Sequence, residues 1–337
     1  MSTIKLAHVG LGRWGPNLLR AFASLPGCAV TWVCDANPQA LVKAQILTPD
    51  ATLTSDYTGL LADANLDAVV LAVPAVQHFE MARQALLAGK HVFVEKPLTL
   101  NLGEGERLVA LAAAQQRTLM VGHLLEYHPA VTYLKSLLER GDLGALRYIY
   151  AQRLNLGVVR QDENAMWSLA PHDISVMLYL LGCEPEIVAA HGVAYLRPGV
   201  EDVVFLTLRF PDNHIGHIHV SWLDPHKVRR LTLVGTHRMA EFDDMESSEK
   251  VRIYDHGVDA PGYSSYGEAL TLRFGDIVSP RLDLREPLRL EAEHFVHCLQ
   301  HGVQPRSDGQ DGLRVLRVLT AAQESLASGG VPVAVSR

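Results

Sequence analysis

The chain has 337 residues, 48% of them hydrophobic, and a formal net charge of −7. That is enough apolar side chain for two domains with cores of their own, and an acidic balance without a lysine or arginine run speaks against a nucleic-acid partner. No apolar stretch reaches the about 20 residues of a membrane span, and the N-terminus enters a strand at once with no signal-peptide layout, so the chain is expected to stay in the cytoplasm.

In chain order, the apolar run from Ile4 breaks into "GLGRWG", with Gly10, Gly12 and Gly15 followed by Pro16 and by Leu18, Leu19 and Phe22 at helical spacing. A second strand, Ala29 to Cys34, ends in Asp35. Next come a helix near Pro38 to Ile46, the segment Leu53 to Leu61, and a buried strand from Asp67 to Val73 closed by Pro74. A helix from His78 to Ala88 stops at Gly89, His91 to Val94 is another apolar strand before Glu95-Lys96-Pro97, and helix Gly103 to Gln116 and strand Leu119 to Gly122 complete the alternation. Repeated strand–helix units predict a parallel, doubly wound sheet over residues 1–122, because parallel neighbours need crossover connections.

Beyond residue 123 the pattern changes to one helix at Pro129 to Arg140 and a series of alternating segments: Leu146 to Leu154, Ile187 to Tyr195, Val203 to Phe210, His214 to Leu223 and Arg229 to Val234. A helix at His172 to Leu181 interrupts them, and helices at Leu288 to Gln300 and Gly312 to Ala327 follow. These features predict an α+β domain over 123–337 with an open, mostly antiparallel sheet, whose uncovered face is expected to pair two or four copies of the chain. Asp255 to Thr271, rich in Gly, Ser and Tyr, reads as a long loop. Four cysteines, at positions 28, 34, 183 and 298, form no Cys-x-x-Cys unit and suit free thiols in a reducing compartment. His217 and His219 share one strand face, but His214 has the other parity and no acidic or cysteine ligand stands nearby, so no metal is expected.

The glycine turn has the form of a pyrophosphate cradle. Gly10 permits the tight turn, Gly12 lets bare backbone approach the anion, and Gly15 allows close packing of the helix whose N-terminus faces it, with Arg13 and Trp14 in the same turn. Asp35 lies 20 residues after Gly15, where a carboxylate accepts from both adenosine ribose hydroxyls and repels a 2′-phosphate; only Ala36 and Asn37 follow, with no arginine, so NAD is favoured over NADP. The plain alternative for Asp35 is a loop cap. In doubly wound folds ligands bind beyond the carboxyl ends of the strands, which draws Val73-Pro74 and Glu95-Lys96-Pro97 to the same crevice. A lysine held between a strand end and a proline can stabilise negative charge on a reacting hydroxyl oxygen, and Glu95 can pair with it or bind the nicotinamide ribose; otherwise the two are a surface ion pair.

"GLGRWG", "VCDAN", "AVVLAVPAVQHFEMARQALLAGKHVFVEKPL" and "GHLLEYHPAV" resemble the Gfo/Idh/MocA family of glucose–fructose oxidoreductase, inositol dehydrogenase and rhizopine-catabolism proteins, over nearly the whole chain. The resemblance implies a Rossmann domain followed by an open-sheet domain. It implies Lys96 as the active-site lysine, Glu95 as a nicotinamide-side contact, and Pro74 and His78 as the wall beside the cofactor. "WSLAPHDISVMLYLLG" resembles the segment that carries the family's catalytic histidine. His172, read as standing where a loop turns into a helix, is thus the candidate acceptor of the hydroxyl proton that must leave when hydride is removed from an alcohol; as a plain alternative it caps the helix. Relatives commonly carry aspartate four residues earlier, where this chain has Ser168, which leaves Asp173, Lys96 or water as assistants.

Arg153, Asn155 and Arg160 are candidate donors to substrate hydroxyl, carboxylate or phosphate oxygens, or else solvated residues. Their stretch, with "APHDI" and "EPLRLEAEHFVHCLQHG", looks most like relatives acting on nucleotide-linked sugars, including oxidation at carbon 3 of a UDP-linked N-acetylhexosamine or its uronic acid. The expected activity is therefore an NAD-dependent sugar dehydrogenase or, in reverse, ketoreductase. Its rivals are a dehydrogenase of a free sugar, glycoside or inositol, an NAD-dependent glycoside hydrolase of the same fold, and a non-catalytic NAD-responsive binding protein.

Overall fold

The computed structural model describes residues 3–160, 163–259 and 271–336. They divide into two compact units, 1–127 with 285–316, and 128–284 with 317–337.

The first unit begins with β1 (Ile4–Val9), α1 (Gly15–Ala23), β2 (Cys28–Cys34), α2 (Pro38–Ala44), β3 (Thr52–Thr54), α3 (Tyr57–Leu61), β4 (Ala68–Leu71), α4 (His78–Leu87), β5 (His91–Glu95), α5 (Leu102–Ala114) and β6 (Leu119–Gly122). The strand order is β3-β2-β1-β4-β5-β6, and every neighbouring pair is parallel. The winding reverses between β1 and β4, which places the ligand crevice of such a sheet beyond their carboxyl ends. Strands β4 and β5 are buried on both faces, so they read as unbroken apolar runs without alternation.

The second unit holds α6 (Pro129–Glu139), β7 (Leu146–Leu154), α7 (Ala165–Leu181), β8 (Ile187–Val193), β9 (Val203–Arg209), β10 (Ile215–Ser221), β11 (Val228–Gly235), β12 (Met239–Asp243), β13 (Val251–Asp259) and β14 (Thr271–Val278). The chain ends with α8 (Pro287–His301), α9 (Gly309–Ala327) and β15 (Val333–Ala334). The nine-stranded sheet runs β14-β13-β12-β11-β7-β10-β9-β8-β15 and is antiparallel apart from the β7–β10 pair. One face carries α7: a Cβ on Gly216 of β10 would lie 3.1 Å from Met177 of α7, so the bare glycine lets the helix close on the strand. On the other face Tyr148, Phe205 and Ile215 remain exposed, and the Phe205 ring stacks on His219 with centroids 4.2 Å apart.

Four expectations need correction. A single boundary at 122/123 is replaced by a division that returns 285–316 to the first unit, because the apolar face of α8 packs there: Phe295 meets Phe22 and Phe93 edge to face, with centroids 6.1 and 5.6 Å away. The long loop at Asp255 to Thr271 is in part β13 and the start of β14, a strand pair whose Gly and polar residues concealed it, and residues 260–270 lie outside the described residues. His172 does not open a helix. Asn164 caps α7 through its side-chain oxygen, which accepts the Trp167 N–H at 3.1 Å, so the helix starts seven residues before His172 and carries Pro171 inside it. Finally, the strands β12 to β14 extend the sheet beyond the segments expected from alternation.

Candidate functional site

In the first unit the glycine turn is built as its spacing requires. Gly10 has φ +96°, and a Cβ there would stand 2.4 Å from the Ala72 carbonyl oxygen; one on Gly15 would stand 2.1 Å from the Gly10 oxygen. Both positions are closed to any side chain. A Cβ on Gly12 meets nothing within 4 Å, which leaves bare backbone beside open space, the cradle that a pyrophosphate needs. Asp35 ties the turn to the end of β2: its two carboxylate oxygens accept the Leu11 N–H at 2.5 Å and the Asn37 N–H at 2.7 Å. Beneath the turn, buried His8 touches the Gly10 carbonyl oxygen through Nε2 at 2.9 Å, and burial holds its imidazole down at about 4.

At the ends of β4 and β5, His78 acts as a brace. Its Nδ1 lies 2.7 Å from the Pro97 carbonyl oxygen and its Nε2 3.0 Å from that of Val73, so one buried ring ties the turn at Pro74 to the turn that follows Lys96. Burial lowers its pKa, with Lys96 adding to the effect, so the ring is neutral and donates to one of these carbonyls at a time. Glu95 lies against Gly122, where a Cβ would be 3.1 Å from Glu95 Oε2. Burial pushes its carboxyl up to about 7 against the opposing pull of Lys96 and the Trp14 indole, so beside Lys96 stands an acid that titrates at neutral pH.

Deeper in this unit is a cluster that no motif announced. His123 Nδ1 lies 2.8 Å from Asp311 and 3.5 Å from Glu126, all three nearly inaccessible, and Arg314 holds the other oxygen of Asp311 at 2.5 Å. Burial opposes a charge on His123, but the bonds and charges of Asp311 and Glu126 outweigh it and keep the ring protonated, while burial raises the Glu126 carboxyl. Glu291 of α8 is fully buried with neither oxygen hydrogen-bonded, and burial beside Glu95 and Glu126 raises its pKa far enough to keep it neutral. His123, Glu126 and Asp311 have the composition of a metal site, unlike the strand histidines, but His123 and Arg314 already occupy Asp311. A glutamate inside the apolar run "HLLEYHP" was the available signal.

In the second unit the substrate candidates part company. Arg153 is locked to Asp173 by two parallel bonds of 2.7 and 2.8 Å, so it is a buried ion pair and does not stand open as a donor. Asn155, just past the end of β7, accepts from Arg229 at 3.0 Å. Arg160 pairs with Glu163 at 2.9 Å near the surface and joins neither of them. His172 follows Pro171 in α7 and is next to Asp173, which the Arg153 pair holds in place. Arg229 carried no motif; only its register opposite Arg153 marks it.

Residues 4–123 match the oxidoreductase family with an NAD-binding Rossmann fold, and residues 131–241 match the GFO/IDH/MocA C-terminal domain. The chain belongs to the Gfo/Idh/MocA family of oxidoreductases. It is 28% identical over 319 residues to the UDP-N-acetylglucosamine 3-dehydrogenase of Acidithiobacillus ferrooxidans, covering 94% of this chain and 95% of that protein. A solved structure of that enzyme superposes with a TM-score of 0.81 over 98% of this chain and 99% of the other at 26% identity. A crystal structure assigned to the oxidoreductases, from Magnetospirillum magnetotacticum, is 31% identical and covers 95% of this chain and 100% of that one, with a TM-score of 0.78. The scyllo-inositol 2-dehydrogenase (NAD(+)) of Bacillus subtilis is 26% identical over 345 residues, 97% of this chain and 95% of its own. This family member is thus an NAD-binding enzyme, and no helix among its described residues is long and apolar enough to cross a membrane.

Proposed function

We propose that this oxidoreductase transfers a hydride between nicotinamide and carbon 3 of a nucleotide-linked sugar, a UDP-linked amino sugar or uronic acid, working in the cytoplasm with NAD as its cofactor. NAD, when bound, accepts or returns the hydride. Gly10, Gly12, Arg13, Trp14 and Gly15 hold its pyrophosphate, Asp35 its adenosine ribose, and Pro74, His78 and Glu95 line its nicotinamide end. Asp35 is the observation that carries the choice of NAD: both of its oxygens are fixed by main-chain N–H groups, and the residues that follow it offer no cation to a 2′-phosphate.

In this mechanism Lys96 stabilises the alkoxide that develops as the hydroxyl proton leaves, and His172 accepts that proton. His78 is a positioning residue that holds the backbone just after Lys96, at Pro97, against the end of β4 at Val73. The same groups run in reverse make the enzyme a ketoreductase. Asp173 orients the substrate end of α7 through its bond to Arg153. Four free thiols fit a reducing compartment. Copies of the chain pair through the open sheet face, where Tyr148 is 44%, Phe205 42% and Ile215 41% exposed.

The similarity to UDP-N-acetylglucosamine 3-dehydrogenase along nearly the full length of both chains supports the nucleotide sugar. A second reading, oxidation of an inositol, has the Bacillus subtilis relative in its favour. Absorbance of reduced cofactor at saturating NAD+ or NADP+, with UDP-N-acetylglucosamine, UDP-glucuronate or scyllo-inositol, separates them. Reduction with scyllo-inositol alone refutes the nucleotide-sugar reading, and a preference for NADP+ refutes the role of Asp35. Light scattering checks the assembly: wild type should run as a dimer or tetramer, and Phe205→Glu as a smaller species.

A further inference from the structure

The antiparallel pairing of β7 and β11 sets Arg229 directly opposite Arg153. Residues opposed in this way project from the same face of the sheet, and two like charges there destabilise it unless something neutralises both. Among the described residues, only one is paired with a carboxylate of its own. Asp173 spends both oxygens on Arg153, at 2.7 and 2.8 Å. Among the described residues, Arg229 is hydrogen-bonded by uncharged oxygens alone: its Nη1 donates to the carbonyls of Leu154 at 2.9 Å and Val228 at 2.8 Å, and its Nη2 to Asn155 Oδ1 at 3.0 Å. Among the described residues, the other carboxylate that acts on it, Asp244, is bound by Lys250 at 3.2 Å and faces His128 at 3.5 Å. Among the described residues, Arg153, Arg229 and Lys250 stand against Asp173 and Asp244, a surplus of one positive charge.

A guanidinium has five N–H donors, and three acceptors among the described residues hold this one, which leaves it donors to offer on a side chain whose rotamer is already fixed. Burial beside Arg153 brings its pKa down to about 10, low enough to show the strain and high enough to keep the charge at neutral pH. A half-buried, pre-oriented cation with donors to spare is suited to take an oxyanion, since the ordering has been done before the ligand arrives.

We propose that Arg229 is the anchor for an anionic group of the substrate, a sugar carboxylate or the diphosphate of a nucleotide sugar, so that the site selects charged sugars over neutral polyols. This deepens the nucleotide-sugar reading above and rests on it. Asn155 and the two carbonyls set the angle of the fork, and the Arg153–Asp173 pair is the scaffold behind it.

The test uses full-length protein loaded with NADH and measures binding of UDP-N-acetylglucosamine, glucuronate and scyllo-inositol through quenching of the cofactor's fluorescence. Wild type is compared with Arg229→Gln, which keeps an amide donor without the charge, and with Arg229→Lys. At least one charged ligand should weaken about 10- to 100-fold in Arg229→Gln and recover in part in Arg229→Lys, with scyllo-inositol within about 3-fold throughout. Loss confined to glucuronate names a carboxylate as the bound group; loss confined to the nucleotide sugar names the diphosphate. Equal losses for all three ligands, unchanged affinities for both charged ones, or binding of scyllo-inositol alone to wild type overturns the proposal. Circular dichroism of the Gln variant tests folding on its own. Failure of the dehydrogenase reading would show separately, as no sugar-dependent reduction of NAD+ by wild type.

Discussion

The three glycines of the turn should fail in different ways when each becomes alanine. At Gly12 the new methyl enters open space, with no heavy atom within 4 Å, so the fold should be untouched and the melting temperature should stay within about 1 °C of wild type. The same methyl fills the cradle. Holding a pyrophosphate off the backbone N–H groups by its width should weaken NADH binding by about 10- to 100-fold, the equivalent of about one charge-assisted hydrogen bond. Gly10→Ala combines φ +96° with a Cβ 2.4 Å from a main-chain oxygen, and Gly15→Ala sets its Cβ 2.1 Å from another, neither of which is a flexible side-chain end that can swing away. Strain of about 1–2 kcal/mol in the backbone and about 1–3 kcal/mol of overpacking give a loss of roughly 2–5 kcal/mol at Gly10. Thermal unfolding read beside NADH fluorescence titration separates the two classes. If Gly12→Ala binds NADH as wild type does, or unfolds as readily as Gly10→Ala, the cradle is assigned to the wrong residue.

Lys96→Ala should lower kcat at least about 100-fold while leaving NADH affinity within a few-fold, and unchanged turnover in steady-state assays would remove the amine from the reaction. His8, held near 4 by burial against about 6.5 when unfolded, stays neutral in the native protein, so it adds stability above pH 6.5 that is lost as pH falls through 4. Wild type should therefore lose about 3 kcal/mol more than His8→Leu between pH 7 and pH 4 in denaturant titrations, and equal losses would refute the assignment. Glu291 has its pKa raised by burial, so the unfolded chain releases its proton at lower pH than the native one does and stability falls as pH climbs above the unfolded value. Glu291→Met should raise the melting temperature more at pH 8 than at pH 5; the opposite order would mean that the carboxylate is stabilised by a partner.

Much of the first unit was legible because each of its signals is local. A glycine with positive φ, a proline in the first helical turn and an aspartate at the end of the next strand are fixed by backbone geometry within a few residues, and Gly10, Pro16 and Asp35 occupy those places. What escaped depends on residues far apart in the chain. The bond between His123 and Asp311 spans 188 positions, and the packing of Phe295 of α8 on Phe22 and Phe93 makes a separate C-terminal helix part of the first unit's core. Arg153 was singled out as a donor to substrate and Asp173 as an assistant to His172, yet no pattern could show that one would occupy the other. The start of α7 was hidden for a physical reason: a proline, lacking the N–H, commonly stands at a helix boundary, whereas here Asn164 caps the helix earlier and Pro171 lies inside it between the buried Ala170 and Ile174.

The unabsorbed charges follow from the same logic. Local rules would place no glutamate in the core without a donor, and would not set two arginines across from each other with one carboxylate between them. Glu291 breaks the first rule and Arg229 the second. The remedies differ with the chemistry of the group. A carboxyl can shed its charge by keeping a proton, and Glu291 does so at the expense of stability at high pH. A guanidinium cannot deprotonate near neutrality, so the surplus that the described residues leave at Arg229 is met, in the proposal above, by an anionic group of the ligand. The first violation therefore reads as a property of folding, measurable by titrating stability, and the second as a property of binding, measurable only with a ligand present.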